Sequence, residues 1–203
     1  LVCPQIRPTP SLAAYWNGQS IVINRCIVII FKDGHPQLCL FGAGGHGRVV
    51  GAIASHIWPS SVIFGDDQLP LGSMIDGIPV RIADLCDARD CHLIVTVGDI
   101  TARSILQTRA EELGLTCPNL IANPDGYFGE SIGAGSIVLT SVVVNPGTRI
   151  GRGVIVNTGA VVEHDCIIGD FCNLAPRSVL LGGCCLGNEI LIGANATVLQ
   201  GVS

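Results

Sequence analysis

Rings are scarce in this chain: Phe, Trp and Tyr supply only 4% of its 203 residues, so no core of large aromatic anchors can be built from it. Charge is scarce too, at 13% Asp, Glu, Lys and Arg, and no block of Lys or Arg occurs. With a net charge of −5, the chain offers no surface for nucleic acid or an anionic membrane. Long apolar runs are also missing. The most apolar early stretch, Ile21 to Phe31, is interrupted by Asn24 and Arg25 and is shorter than the roughly 20 residues that a bilayer-spanning helix needs. None of the ten cysteines forms a C-x-x-C pair, so a zinc site or a thioredoxin-like motif has no support and no metal is expected. What remains is glycine, 26 residues of it, and aliphatic side chains. A stacked repeat with a column of aliphatics for a core has that composition; a disordered chain does not.

The repeat is legible from Ile132 onward. Cut in sixes, the sequence places Ile, Leu or Val at 132, 138, 144, 150, 156, 162, 168, 174, 180, 186, 192 and 198. These residue types are about a third of the chain, so twelve hits by chance is on the order of one in a million. Six residues make one short strand and a turn, and three such units close a triangular coil. The first-position aliphatics then stack inward, with glycine and asparagine expected at corners of positive φ. Cys166, Cys172 and Cys184 share the fifth position with Thr148, Val154, Ala160 and Ser178. They read as small packing residues with free thiols, which suits a reducing cytoplasm. The pattern stops at Ser203 with no helix or loop over the last coil, which reads as a C-terminal truncation.

Ahead of the repeat, Leu38–Phe41 is a short apolar run followed by Gly42-Ala43-Gly44-Gly45-His46-Gly47 and a helical stretch to about Ile57. Ser61–Phe64 reads as the next strand, ending at Gly65-Asp66-Asp67, and Leu93–Gly98 as a further buried one. Asp99 to Leu113 has helical spacing with Asp99 as N-cap, and Pro118 to Pro124 reads as a connector. This is a βαβ pattern with a Gly-rich turn at a helix N-terminus, a place suited to phosphate. A dinucleotide-dependent oxidoreductase is one rival, but about 80 residues are too few for a full NAD domain. A small nucleotide-sugar site fits better, with Gly44, Gly45, His46 and Gly47 near the phosphates and Asp66 or Asp67 toward sugar or base. The expected fold is therefore a Rossmann-like α/β domain at 37–118 followed by a parallel β-helix at 119–203. Residues 1–36 fit no motif and stay unassigned.

The order GAGGHG-R-V-V, F-G-D-D, V-G-D-I-T-A-R and then hexads containing V-E-H-D-C-I-I-G-D-F resembles the sialic acid O-acetyltransferase (NeuD-type) family. That family includes the UDP-4-amino-sugar N-acetyltransferases (PglD-type) and the GDP-perosamine N-acetyltransferases. The resemblance covers roughly residues 38–203. It implies a left-handed β-helix and acetyl transfer from acetyl-CoA to a sugar. The acceptor would be the amino group of a nucleotide-linked sugar, or alternatively a hydroxyl of a sialic acid-type sugar.

The resemblance further implies His164 as general base, Asp165 as its orienting neighbour and the Gly182 N–H as oxyanion donor. Chemistry favours such a set, because imidazole titrates near neutrality and a thioester under attack develops an oxyanion. By the same resemblance CoA lies along the coils near Gly182, Gly183, Gly193 and Ala194, and the protein is a homotrimer with its sites between chains. A second family histidine, nine residues after the base, is Asn173 here, which can hydrogen-bond the cofactor but cannot take a proton at neutral pH. His35, His56 and His92 lie in no motif. A non-catalytic, metal-binding β-helix scaffold is the rival from another class, but it needs several converging histidines and the repeat has one.

Overall fold

A computed structural model describes residues 37–57 and 61–203, together with the backbone of three earlier strands, β1 Ala14–Trp16, β2 Gln19–Asn24 and β3 Ile27–Phe31. Residues 1–36, left without assignment above, otherwise lie outside what is described, His35 among them.

The front domain follows the βαβ pattern. Strand β4 (Gln37–Phe41) leads into helix α1 (Gly45–Ile57), then β5 (Val62–Gly65), the hairpin β6 (Met74–Ile75) and β7 (Ile78–Ile82), β8 (Cys91–Val95) and helix α2 (Ile100–Glu112). The sheet order is β6-β7-β5-β4-β8, parallel except for the β6–β7 pair. Strands β4, β5 and β8 are apolar runs buried on both faces, as parallel strands under helices must be. Asp99 caps α2, its carboxylate accepting from Ala102 N–H at 2.8 Å.

From Leu120 the chain winds into a left-handed parallel β-helix. From Ile132 every rung pairs with the one eighteen residues on: Ile137 with Ile155, Ile155 with Asn173, Asn173 with Leu191. Three hexads thus close one coil, and three parallel sheets form the walls of a prism. The segment Pro118–Pro124, expected as a connector, already contains the first rung: β9 (Leu120–Ile121) pairs with Ile137–Val138. Strand β3 adds antiparallel to the other edge of β9, so the β1–β3 backbone extends that wall.

All twelve first-position aliphatics line the interior. Val138, Val144, Ile150, Val156, Val162, Ile168, Leu174, Leu180 and Leu186 are buried, and Ile132, Ile192 and Val198 pack on them partly exposed. Each full burial contributes roughly 1.5–3 kcal/mol. The fifth position has a second task. Ser136, Thr148, Cys166, Cys172 and Cys184 each donate from the side chain to the carbonyl fifteen residues on, at Gly151, Glu163, Leu181, Gly187 and Leu199. A small side chain bearing O–H or S–H satisfies a corner carbonyl of the next coil, so cysteine serves there as serine does.

The corners differ from expectation. Positive φ falls on the fourth hexad position, and five of its twelve occupants are neither glycine nor asparagine: Ser141, Asp165, Phe171, Arg177 and Glu189. Gly133, Gly151 and Gly169, at the second position, do a different job. A Cβ on Gly133 would lie 2.4 Å from Arg152 N, and one on Gly169 2.5 Å from Gly187 O, so adjacent coils approach too closely there for any side chain.

Candidate functional site

The His164 turn lies between the wall containing Val161–Val162 and the wall containing Ile167–Ile168. Val162 and Cys166 point inward and are buried, which leaves Glu163, His164 and Asp165 outside. Asp165 sits at φ 59°, a conformation that aspartate tolerates better than most residues because its short side chain bonds locally. Here it meets its neighbour's ring: His164 Nδ1 and Asp165 Oδ2 are 2.8 Å apart. The two side chains are 58% and 73% exposed, and the remaining ring nitrogen, Nε2, makes no hydrogen bond among the described residues.

One coil on, Gly182 occupies the place below the imidazole. A Cβ there would lie 2.6 Å from Nε2 and 2.7 Å from Cε1, so only glycine leaves the ring where it is. Gly183 N–H donates to the His164 carbonyl at 2.9 Å and fixes the two turns against each other. The Gly182 N–H lies outside the coil-to-coil ladder. Its hexad position, the third, is held elsewhere by Pro146 and Pro176, which have no N–H to give. The corner therefore brings together a carboxylate-oriented imidazole and a backbone donor available to a developing oxyanion.

Cys166 lies directly beneath this corner but faces the core. It is fully buried, its Sγ contacts the Leu181 carbonyl at 3.4 Å, and burial raises its pKa above the ordinary thiol value. A thiol so placed is a poor nucleophile.

In the front domain the glycines divide into two kinds. Gly42 adopts φ 109°, and a Cβ on Gly47 would lie 1.9 Å from the Gly42 carbonyl oxygen, so these two build the turn and let helix meet strand. Gly44 and Gly45 are exposed, with nothing within 4 Å of where a Cβ would be. They are the bare N-terminus of α1, able to receive phosphate. Asp66 is already engaged, accepting from Ala43 N–H at 2.9 Å and Gln68 N–H at 3.0 Å, so it braces the Gly-rich loop. Asp67 is exposed beside it.

His46 is half-buried, and its Nε2 is buried without a hydrogen-bond partner. Burial first, and the charge of Arg103 second, lower its pKa to about 4, so it is neutral at physiological pH. His56 is exposed at the end of α1 and His92 is buried in β8.

Asn173 projects from the wall on which the front domain sits. Its Nδ2 donates to the Gly98 carbonyl at 3.5 Å, while its Oδ1 is buried without a partner. Gly193 and Ala194 lie on a third corner, between the walls of Leu191–Ile192 and Thr197–Val198. Within one chain, then, His164, Asp165, Gly182 and Gly183 share a corner, while Asn173, Gly193 and Ala194 do not join them. The front domain packs its core onto Leu120, Ile137 and Leu139, on the wall opposite the His164 corner. Among the described residues no group of three or more His, Cys, Asp or Glu is arranged to hold a metal ion, and no helix is long and apolar enough to cross a membrane.

Sequence reading missed one residue of this region. Arg103, the last letter of V-G-D-I-T-A-R, is fully buried and ties α2 to the prism through backbone carbonyls.

Comparison with known proteins places these features in context. The sequence pattern of the PglD N-terminal domain family matches residues 37–110. A GDP-perosamine N-acetyltransferase of Escherichia coli O157:H7 is 28% identical over 178 residues, covering 80% of this chain and 78% of that protein. Among solved structures, the acetyltransferase domain of PglB from Neisseria gonorrhoeae FA1090, in complex with acetyl coenzyme A, is 34% identical. It has a TM-score of 0.73, with 83% of this chain and 84% of that one covered. A mutant of GDP-perosamine N-acetyl transferase from Caulobacter crescentus, in complex with CoA and GDP-perosamine, is 27% identical with a TM-score of 0.68, covering 82% and 90%.

Proposed function

The chain belongs to the PglD-type family of hexapeptide-repeat sugar acetyltransferases, and on that premise we propose that it moves an acetyl group from acetyl-CoA to the amino group of a nucleotide-linked sugar, in the making of a surface polysaccharide or glycan. The observation that carries this for the chain's own residues is the His164 corner, where an oriented imidazole stands over a glycine whose lack of a side chain leaves the ring its room. His164 Nε2 takes the proton that the acceptor amine loses as its nitrogen attacks the thioester carbonyl. Asp165 holds Nδ1 in its protonated tautomer and steadies the imidazolium that forms. Gly182 N–H donates to the carbonyl oxygen as it gains charge. Cys166 takes no part, so transfer is direct: the tetrahedral intermediate collapses with cleavage of the C–S bond, and CoA leaves as the thiol with the proton that His164 took up.

The rest of the chain divides accordingly. Residues 37–118 hold the nucleotide, with its phosphates at Gly44, Gly45, His46 and Gly47 and Asp67 toward the sugar or base; Asp66 supports that loop. Residues 119–203 carry the transfer chemistry. The partnerless Asn173 Oδ1 suits an amide N–H such as those of a pantetheine arm, and Gly183, Gly193 and Ala194 complete the cofactor contacts. Because the base and the front domain lie on opposite sides of the prism, one chain's His164 works with a neighbour's front domain. That ground calls for a second chain at each site, the family resemblance makes the assembly a homotrimer, and the free thiols of the described cysteines suit a reducing cytoplasm.

The test is thiol release from acetyl-CoA against UDP- and GDP-linked 4-amino sugars and their 4-hydroxy counterparts, with the mass in solution measured alongside. Turnover with the amino sugars by a trimer is expected. Turnover with hydroxyl acceptors alone, or with none, sinks the assignment.

A further inference from the structure

Arg103 is the most completely buried charged side chain of the described residues, and its surroundings are unusual for an arginine. All six of its acceptors there are backbone carbonyls. Nη1 donates to Val97 and Gly98 at 3.0 Å and to Asp99 at 3.4 Å, Nε to Gly153 at 2.9 Å, and Nη2 to Phe171 at 2.9 Å and Cys172 at 3.5 Å. These carbonyls come from three segments, one in the front domain and two, Gly153 and Phe171–Cys172, in the prism. Val97–Asp99 is the turn after β8, and a Cβ on Gly98 would lie 3.8 Å from that of His46, in the first turn of the phosphate-side helix. Phe171 and Cys172 immediately precede Asn173, whose amide shares the Gly98 carbonyl with Arg103. One guanidinium therefore grips the nucleotide side and the prism at once.

A surface arginine pair would do this job poorly, since exposed ion pairs contribute little. A buried planar fork with several donors fixes direction as well as distance. The charge survives burial, with a pKa lowered by desolvation only to about 10 and supported by Asp99. The nearby ion pairs Arg152–Glu111 and Arg152–Asp170 are partly exposed and hold the outside of the same joint.

We infer that Arg103 is a positioning residue: through the carbonyls of Val97–Asp99 and Phe171–Cys172 it sets where the nucleotide-holding loop stands relative to Asn173. This rests on the reading that the front domain holds the nucleotide and that Asn173 meets the cofactor. Arg103 touches neither ligand.

The experiment uses the full chain with Arg103→Met and Arg103→Lys. Hydrogen–deuterium exchange, which needs no turnover, is expected to quicken about tenfold at 97–99 and 171–173 in R103M while the inner rungs around Val156 and Val162 stay protected. In steady state with acetyl-CoA and the amino sugar used best, kcat falls on the order of 100-fold, because a shift near 1 Å has that cost. KM for acetyl-CoA stays within about twofold. R103K, with three donors and the charge retained, recovers part of kcat. Unchanged exchange at both segments overturns the inference. So does an R103M enzyme that melts lower yet keeps wild-type kcat, since a purely structural brace behaves that way. If the wild-type enzyme acetylates no nucleotide amino sugar, the functional reading fails, and the exchange data alone still decide whether Arg103 joins the two segments.

Discussion

Replacing Gly182 with alanine adds one methyl group where the structure has no room for it. The added Cβ would stand 2.6 Å from His164 Nε2 and 2.7 Å from Cε1, well inside ordinary contact. Gly182 has no positive φ, so alanine fits the backbone and the coil persists. The strain falls on the imidazole, which is 58% exposed and able to swing outward. Restoring a normal contact of about 3.4 Å moves the ring by roughly 0.8 Å and stretches its 2.8 Å bond to Asp165. A displacement of that size at a reacting centre costs on the order of 100-fold in rate, or about 2.7 kcal/mol of transition-state stabilisation. Thiol release from acetyl-CoA under saturating acceptor measures it, with a thermal melt beside it to establish that the fold is intact. A G182A enzyme with unchanged melting and kcat within threefold of wild type would refute the reasoning, because the ring would then need no such proximity.

Other consequences follow from the same geometry. His164→Ala should abolish turnover while leaving the mass in solution unchanged by sedimentation; retention of most activity removes the imidazole from the mechanism. Cys166→Ala should keep kcat within about twofold, with a stability loss near 1 kcal/mol from the missing sulfur and its bond to Leu181, and recovery of an acetylated Cys166 by mass spectrometry contradicts it. His46 predicts a pH effect on stability. Its folded pKa is lowered to about 4 from an unfolded value near 6.5, so the unfolded chain binds the extra proton first. Its contribution is present above pH 6.5, declines as pH falls from there to 4 and is gone below. Melting temperatures of His46→Gln should therefore vary less than wild type across that window, and parallel curves count against the assignment.

The prism was readable because its core is a column of one chemical type at a fixed step, and nothing but burial decides which residues sit there. The corners were less readable. Phe171, Arg177 and Glu189 take a backbone conformation usually left to glycine, since ladders on both sides impose it whatever the side chain. The fifth-position cysteines could be placed but not explained, because their carbonyl partners lie fifteen residues away in the next coil. Asp66, expected with Asp67 as a candidate toward the sugar or base, accepts from the N–H of Ala43, a contact between the loops after β4 and β5 that no local pattern announces. Arg103 was hidden for a related reason. On a helix whose apolar pattern is weak, an arginine reads as a solvated residue, and only the docking of α2 against Gly153 and Phe171 buries it. The His164–Asp165 pair was legible through the family resemblance of V-E-H-D-C, whereas the place of Gly182 below the ring depends on the eighteen-residue step.

That step also governs how such a chain can change in length. Excising or inserting eighteen residues removes or adds one whole storey, and every later side chain keeps its wall and its facing. A six-residue indel instead carries everything after it on to the next wall, so a lesion between His164 and Gly182 would send the glycine to a different edge. Drift in the size of this architecture is thus quantised, and the edge proposed for catalysis tolerates only whole turns of the screw.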